Sequence, residues 1–98
     1  MIIRVFRASV HPGKQREFHQ FVLNKALPKI KANPGLVSVM FGEPIDSLST
    51  GFVMVLVWQD LNALKGFAGE QWQNAVIDPD EAHLLKETFV YHYEAAEI

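Results

Sequence analysis

Hydrophobic residues recur along this chain in two rhythms, alternation in four short stretches and a helical spacing between them. Ile2 to Val10 alternates, with Ile2, Arg4, Phe6, Ala8 and Val10 on one face and Ile3, Val5, Arg7 and Ser9 on the other, which predicts a strand. After the turn His11-Pro12-Gly13-Lys14, apolar residues at Phe18, Phe21, Val22 and Ala26 form the stripe of a helix over 15–26. Pro28 lacks a backbone donor and restricts Leu27, so a kink or early end is expected there, with Ile30 still facing inward and Asn33-Pro34-Gly35 as the stop. Leu36 to Gly42 reads as a second strand, with Val37, Val39 and Phe41 opposed to Leu36, Ser38 and Met40. A polar loop then leads to the unbroken apolar run Phe52 to Trp58. Asp60 is placed to cap a helix over 61–68 that Gly69 ends. Glu70 to Val76 suggests another short helical turn. Asp78-Pro79-Asp80-Glu81 is a helix start with a capping side chain, a proline at the first position and carboxylates at the positive end of the dipole, and Leu84 and Leu85 would dock that helix. Thr88 to Ala95 closes the pattern as a strand, with Phe89, Tyr91 and Tyr93 alternating against Val90, His92 and Glu94.

The run 52–58 organises the rest. Phe52, Met54, Leu56 and Trp58 point one way and Val53, Val55 and Val57 the other, so both faces favour leaving water. The order β-α-β-β-α-β predicts an α+β domain of the ferredoxin-like type over residues 1–98, an antiparallel sheet with helices on one side and the first strand between the third and fourth. All four strands carry apolar residues on both faces. The face without helices therefore calls for a second sheet, and a homodimer packed sheet to sheet supplies it.

Composition narrows the functional classes. The chain has 98 residues, a net charge of −2 and no cysteine. Thiol nucleophiles, disulfides and thiolate metal sites are excluded, and a reducing cytoplasm is the expected setting. The start is interrupted by Arg4 and Arg7 and does not read as a signal peptide, and no segment is long enough to span a bilayer. Nucleic acid is not an expected partner. Thr50-Gly51-Phe52-Val53-Met54 has only the glycine and first aromatic of the basic-Gly-aromatic-x-aromatic strand of RNA-recognition modules, and the charge balance opposes phosphate binding. The four histidines lack the spacing of a two-histidine metal motif, so no metal is expected.

The candidate chemistry is aromatic with a few polar groups. Trp58, Phe67, Trp72, Phe89 and Tyr91 could line a small-molecule pocket between helices and sheet, or could simply be core. Trp72 lies in a segment that could act as a lid. His92, set among tyrosines, could serve as general base or as a hydrogen-bonded structural histidine. In the expected sheet the end of the last strand runs beside the start of the first, so His92 or Glu94 could meet Arg4, either as a structural pair or as a substrate anchor. Glu70 is either a cap or a pocket carboxylate. His11, His19 and His83 fall at turns or on exposed helical positions.

The chain resembles the antibiotic biosynthesis monooxygenase family over nearly its whole length. Val10-His11-Pro12-Gly13-Lys14 resembles that family's strand-to-helix turn, Asn33-Pro34-Gly35-Leu36 its entry to the second strand, and Val57-Trp58-Gln59-Asp60 its exit from the third. Phe67-Ala68-Gly69-Glu70, Ala75-Val76-Ile77-Asp78-Pro79 with Leu84-Leu85, and His92-Tyr93-Glu94 resemble a branch of small members. The resemblance implies a dimeric α+β barrel. It also implies a cofactor-independent oxygenase of a small aromatic, a quinol or polyketide-like molecule, or else a noncatalytic ligand-binding or interaction module of the same fold. The resemblance puts Phe6, Phe67 and Val76 or Ile77 where heme-degrading relatives carry Asn, Trp and His, and with no cysteine and scattered histidines beside these substitutions, neither heme, flavin nor metal is expected. His92 as base and Arg4 as counter-charge are the catalytic candidates, with Trp58, Phe67, Glu70, Trp72, Phe89 and Tyr91 as substrate-binding ones.

Overall fold

The computed structural model describes residues 1–98. Its elements are β1 (Ile2–Val10), α1 (Gln15–Phe21), a π-helical turn (Val22–Ala26), α2 (Leu27–Lys31), β2 (Leu36–Gly42), β3 (Gly51–Trp58), α3 (Leu61–Ala68), a 3₁₀ turn (Ala82–Leu84) and β4 (Leu85–Glu94). The four strands form one antiparallel sheet in the order β2-β3-β1-β4, the ferredoxin-like α+β arrangement with helices on one side.

The apolar run became the inner strand β3. Phe52, Met54, Leu56 and Trp58 are buried on the helix side together with Phe18, Val22, Ile30 and Leu64. On the opposite side Val53, Val55 and Val57 are only half-buried, and Met40, Phe89, Tyr91 and Tyr93 beside them are exposed. One sheet face is packed and the other is an apolar surface.

Pro28 acts through the π turn rather than by ending the helix. Its missing N–H leaves the Asn24 carbonyl without the usual partner, and its ring crowds that carbonyl. Widening the coil relieves both, and the Leu27 N–H bonds Val22 five residues back. The three helical segments run on without a break from Gln15 to Lys31, and Ile30 is buried as expected.

Three local expectations are corrected. A bulge in β2 sets Leu36 opposite Trp58 and Ser38 opposite Val57, so Leu36, Val39 and Phe41 share the helix-side face, and Val37 is left exposed. Glu70 to Val76 is turn and irregular chain, not helix. The start signal at Asp78 yields only a turn, although its side chain caps as expected by accepting the Asp80 N–H at 2.8 Å. What overrides it is strand pairing: Leu85 pairs with Val10, and the His11 N–H bonds the Leu84 carbonyl, so β4 takes the chain into the sheet. Leu84 docks as predicted and is buried, while Leu85 opens the strand.

By contrast α3 begins and ends where the pattern places it. Asp60 accepts the Ala63 N–H at 2.8 Å, and Gly69 ends the helix at a φ of 82° that disfavours any side chain. No helix is long and apolar enough to cross a membrane.

Candidate functional site

Between the helical layer and the sheet lies a small chamber of about 60 Å³, walled by Phe6, Phe18, Val22, Met54, Leu56 and Phe67. It continues into an outer recess of about 300 Å³ under the irregular strap 70–81, and Ala26, Ile30, Phe67, Val76 and Glu81 border both spaces. The sequence builds the walls by alternation on β1 and β3, and the π turn keeps Val22 and Ala26 on the same lining. Arg4 and Glu81 also line the chamber, and they are the two charged residues that the fold buries.

Arg4 is 2% exposed and holds the strap. Its Nη1 donates to the Trp72 carbonyl at 2.6 Å and to Nε2 of His92 at 2.9 Å, and its Nη2 donates to the Asn74 carbonyl at 3.0 Å. These carbonyls are available because residues 72–74 are not helical. Three of the five guanidinium N–H groups are thus used, leaving Nε–H and one on Nη2. The Phe67 ring lies 5.9 Å from the guanidinium carbon, a favourable cation–π distance. Burial lowers the Arg4 pKa from its ordinary value, but arginine starts high enough to stay charged.

His92 is bound to that cation. A guanidinium can only donate, so Nε2 must accept and the proton of the neutral ring sits on Nδ1. Burial and then the Arg4 charge lower its pKa. Its lone pair is therefore occupied, and the role of free general base does not suit it. Trp72 packs edge-on against this ring at 5.0 Å.

Glu81 is 6% exposed and forms no ion pair. Burial, and then repulsion from Asp78, push its pKa up to about 7, offset in part by the Asp78 amide and the Lys29 charge. At the outer rim Asp78 accepts from Lys29 at 3.0 Å and from Lys25 at 3.4 Å, and Lys25 also pairs with Asp80. The Asp80 amide and the two lysines hold the Asp78 pKa at about 2, so this clasp fastens the strap to the helical rod across the neutral range.

The expected site residues therefore divide. Arg4, His92 and Trp72 are brought together, and Phe67 faces the chamber. Trp58 is fully buried and stacks on Phe67 at 5.1 Å, placing it behind the wall, with Nε1 left without a partner. Trp72 touches His92 and the core without lining the chamber. Phe89 and Tyr91 do not lie between helices and sheet: they pair with Arg7 and Val5, so alternation turns them to the helix-free face, where both are exposed. Glu70 is exposed in the turn after α3, away from the chamber. Glu94 lies 3.6 Å from the N-terminal amine and does not meet Arg4. His19 is half-buried and paired with Glu43 instead of being free at the surface. Glu81 was missed because, within a helix-start motif, it reads as a solvated first-turn carboxylate. Only pairing of β4 with β1 makes it an inward residue.

The chain matches the antibiotic biosynthesis monooxygenase family over residues 1–78. The protein therefore belongs to the antibiotic biosynthesis monooxygenase family. Among solved structures, a candidate antibiotic biosynthesis monooxygenase from Deinococcus radiodurans is 18% identical, with a TM-score of 0.77 over 100% of this chain and 95% of that one. One of the same description from Nitrosomonas europaea is 16% identical, with a TM-score of 0.77 over 99% of this chain and 100% of that one. SnoaB of Streptomyces nogalater, a cofactor-independent oxygenase, is 19% identical in its N63A mutant, with a TM-score of 0.71 over 99% of this chain and 94% of that one. At these identities the likeness carries the fold. No curated protein matches the chain. Phe6, Phe67 and Val76 do border the chamber, and none of its walls supplies an imidazole, so the residues present do not fit a histidine-ligated heme.

Proposed function

We propose that the protein is a cofactor-independent monooxygenase of a small planar aromatic, a quinol or polyketide-like molecule, bound in the chamber beneath the strap. The observation that carries this reading is the burial of Arg4, with N–H groups to spare, in a cavity whose lining is aromatic and aliphatic apart from Arg4 and Glu81. In such a reaction the deprotonated substrate gives an electron to oxygen, the two radicals combine at a ring carbon, and loss of water leaves a carbonyl. For a ring methylene, CH₂ and O₂ become C=O and H₂O. The protein's part is to exclude water and hold the anion, which apolar walls and the Arg4 cation would do.

A chamber of about 60 Å³ holds only about two waters, whereas a cavity of roughly 150 Å³ accepts benzene. The substrate must displace Val76, which is 46% exposed and lies on a stretch outside helix and sheet. The active unit in this reading is a homodimer whose second sheet covers Val53, Val55, Val57, Phe89 and Tyr91. The test is oxygen uptake by metal- and flavin-free protein with a panel of quinols and hydroxylated polycyclic aromatics, beside Val76→Trp, which fills the entrance. Uptake that Val76→Trp abolishes supports the enzyme. Binding without uptake would make it a noncatalytic ligand-binding dimer, and uptake that Val76→Trp leaves unchanged would remove the chamber from the reaction.

A further inference from the structure

Glu81 stands in the same chamber as Arg4 without pairing to it, and its carboxylate is held from the strap side by the Asp78 amide. A carboxylate taken out of water with no cation within ion-pair distance is costly, and such groups gather where proton chemistry is done. It borders both the inner chamber and the outer recess, so a molecule passing from one to the other goes by it. The charged and titratable groups around it are Arg4 from β1, Lys29 from α2 and Asp78 from the strap, with His92 of β4 behind Arg4. His92 already accepts a hydrogen bond from Arg4, which leaves Glu81 as the group with an open lone pair in the chamber.

We propose that Glu81 is the proton acceptor of this site: a phenolic substrate hands its hydroxyl proton to the Glu81 carboxylate and stays bound as the phenolate against the free N–H groups of Arg4. The inference rests on the reading of the chamber as an aromatic site. One O–H bond breaks on the ligand and one forms on Glu81, so the total charge of the site is unchanged. The negative charge moves from a position without a cation to one beside Arg4. The substrate class is thereby narrowed to planar aromatics with an ionisable hydroxyl.

A site of this kind answers pH in opposite directions for two ligands of one shape. Naphthol needs the Glu81 carboxylate to receive its proton, so its affinity rises as pH goes from about 6 to about 8, by up to about tenfold. Naphthoate, already an anion, needs Glu81 protonated, and its affinity falls about tenfold per pH unit above about 7. Glu81→Gln mimics the protonated acid and flattens both responses. Binding would be followed by calorimetry and by the methyl resonances of Val76 and Ile30, with the Glu81 carboxyl titrated by carbon-13 labelling in wild-type protein. The proposal expects that carboxyl to titrate near neutrality and to move higher with naphthoate bound. A Glu81 that titrates with ordinary surface carboxylates overturns it, as does an unchanged pH response in Glu81→Gln. In the latter case, methyl shifts with both probes would leave the aromatic site itself standing. No shift with either probe overturns both readings.

Discussion

Nη1 of Arg4 donates to Nε2 of His92 at 2.9 Å, and that contact fixes the imidazole as neutral with its proton on Nδ1. A histidine that looked like a base in the sequence is instead a brace for the cation, while the same Nη1 holds the Trp72 carbonyl. Protonating His92 would set two cations face to face and release the strap.

The His92 pKa is lowered, by burial first and by Arg4 second, so the unfolded chain binds more protons at this group than the folded one. Its contribution to stability is therefore complete above the unfolded value of about 6.5 and is lost as pH falls through the folded pKa. His92→Gln keeps an acceptor for Arg4 and cannot titrate. The expected outcome is that wild type loses more thermal stability than His92→Gln as pH falls below about 6.5. Parallel curves for the two proteins would contradict the brace.

Glu81 has the opposite sign. Its folded pKa of about 7 lies above that of a free glutamate, so its contribution is fully present below the unfolded pKa and is lost as pH rises through about 7. Above neutrality the wild type carries a buried, unpaired charge that Glu81→Gln lacks. The variant should be more stable by up to about 3.5 kcal/mol at alkaline pH, taking about 1.4 kcal/mol per pKa unit over the rise from 4.5 to about 7, and should converge with wild type below the free carboxylate range. Denaturant titrations at the two extremes check this. A Glu81→Gln variant less stable than wild type at alkaline pH would show that the carboxylate is structurally paired.

The helix-free sheet face makes a separate demand. Val5, Val55 and Tyr91 lie in register across β3, β1 and β4 and are not covered within the chain. A dimer burying roughly 800 Å² per subunit would cover them. Val55→Lys should give a folded monomer in sedimentation, with α3 and the helix-side core unaffected. A wild type that sediments as a monomer at micromolar concentration would refute the dimer.

Alternation and caps carried most of the fold. β2 and α3 lie where the pattern places them and β3 within a residue of it, since each is bounded by its own glycine, proline or capping aspartate. What was not legible depends on contacts distant in sequence. The β2 bulge at Val37 inverts a face that strict parity assigns otherwise, and the pairing of Leu85 with Val10 overrides a good local helix start. For the site, Arg4 and His92 were visible because β1 and β4 alternate simply there, and Phe67 because α3 is bounded by its own capping aspartate and glycine. Glu81 was not, since its inward position is set by strand pairing further along and by no local motif. Phe89 and Tyr91 were placed on the wrong side of the sheet because the aromatic character of a strand position does not reveal which face is covered.

The proposed ligand site lies on the helix side of the sheet, in the chamber shared by Arg4 and Glu81. Methyl-labelled protein titrated with naphthol reads this directly, because the two sides of the sheet carry different reporters. Shifts confined to Val22, Ile30, Met54 and Val76, and absent in Val76→Trp, are the predicted result. Shifts at Val53, Val55 and Val57 with those four unmoved would place the ligand on the opposite face and contradict the account.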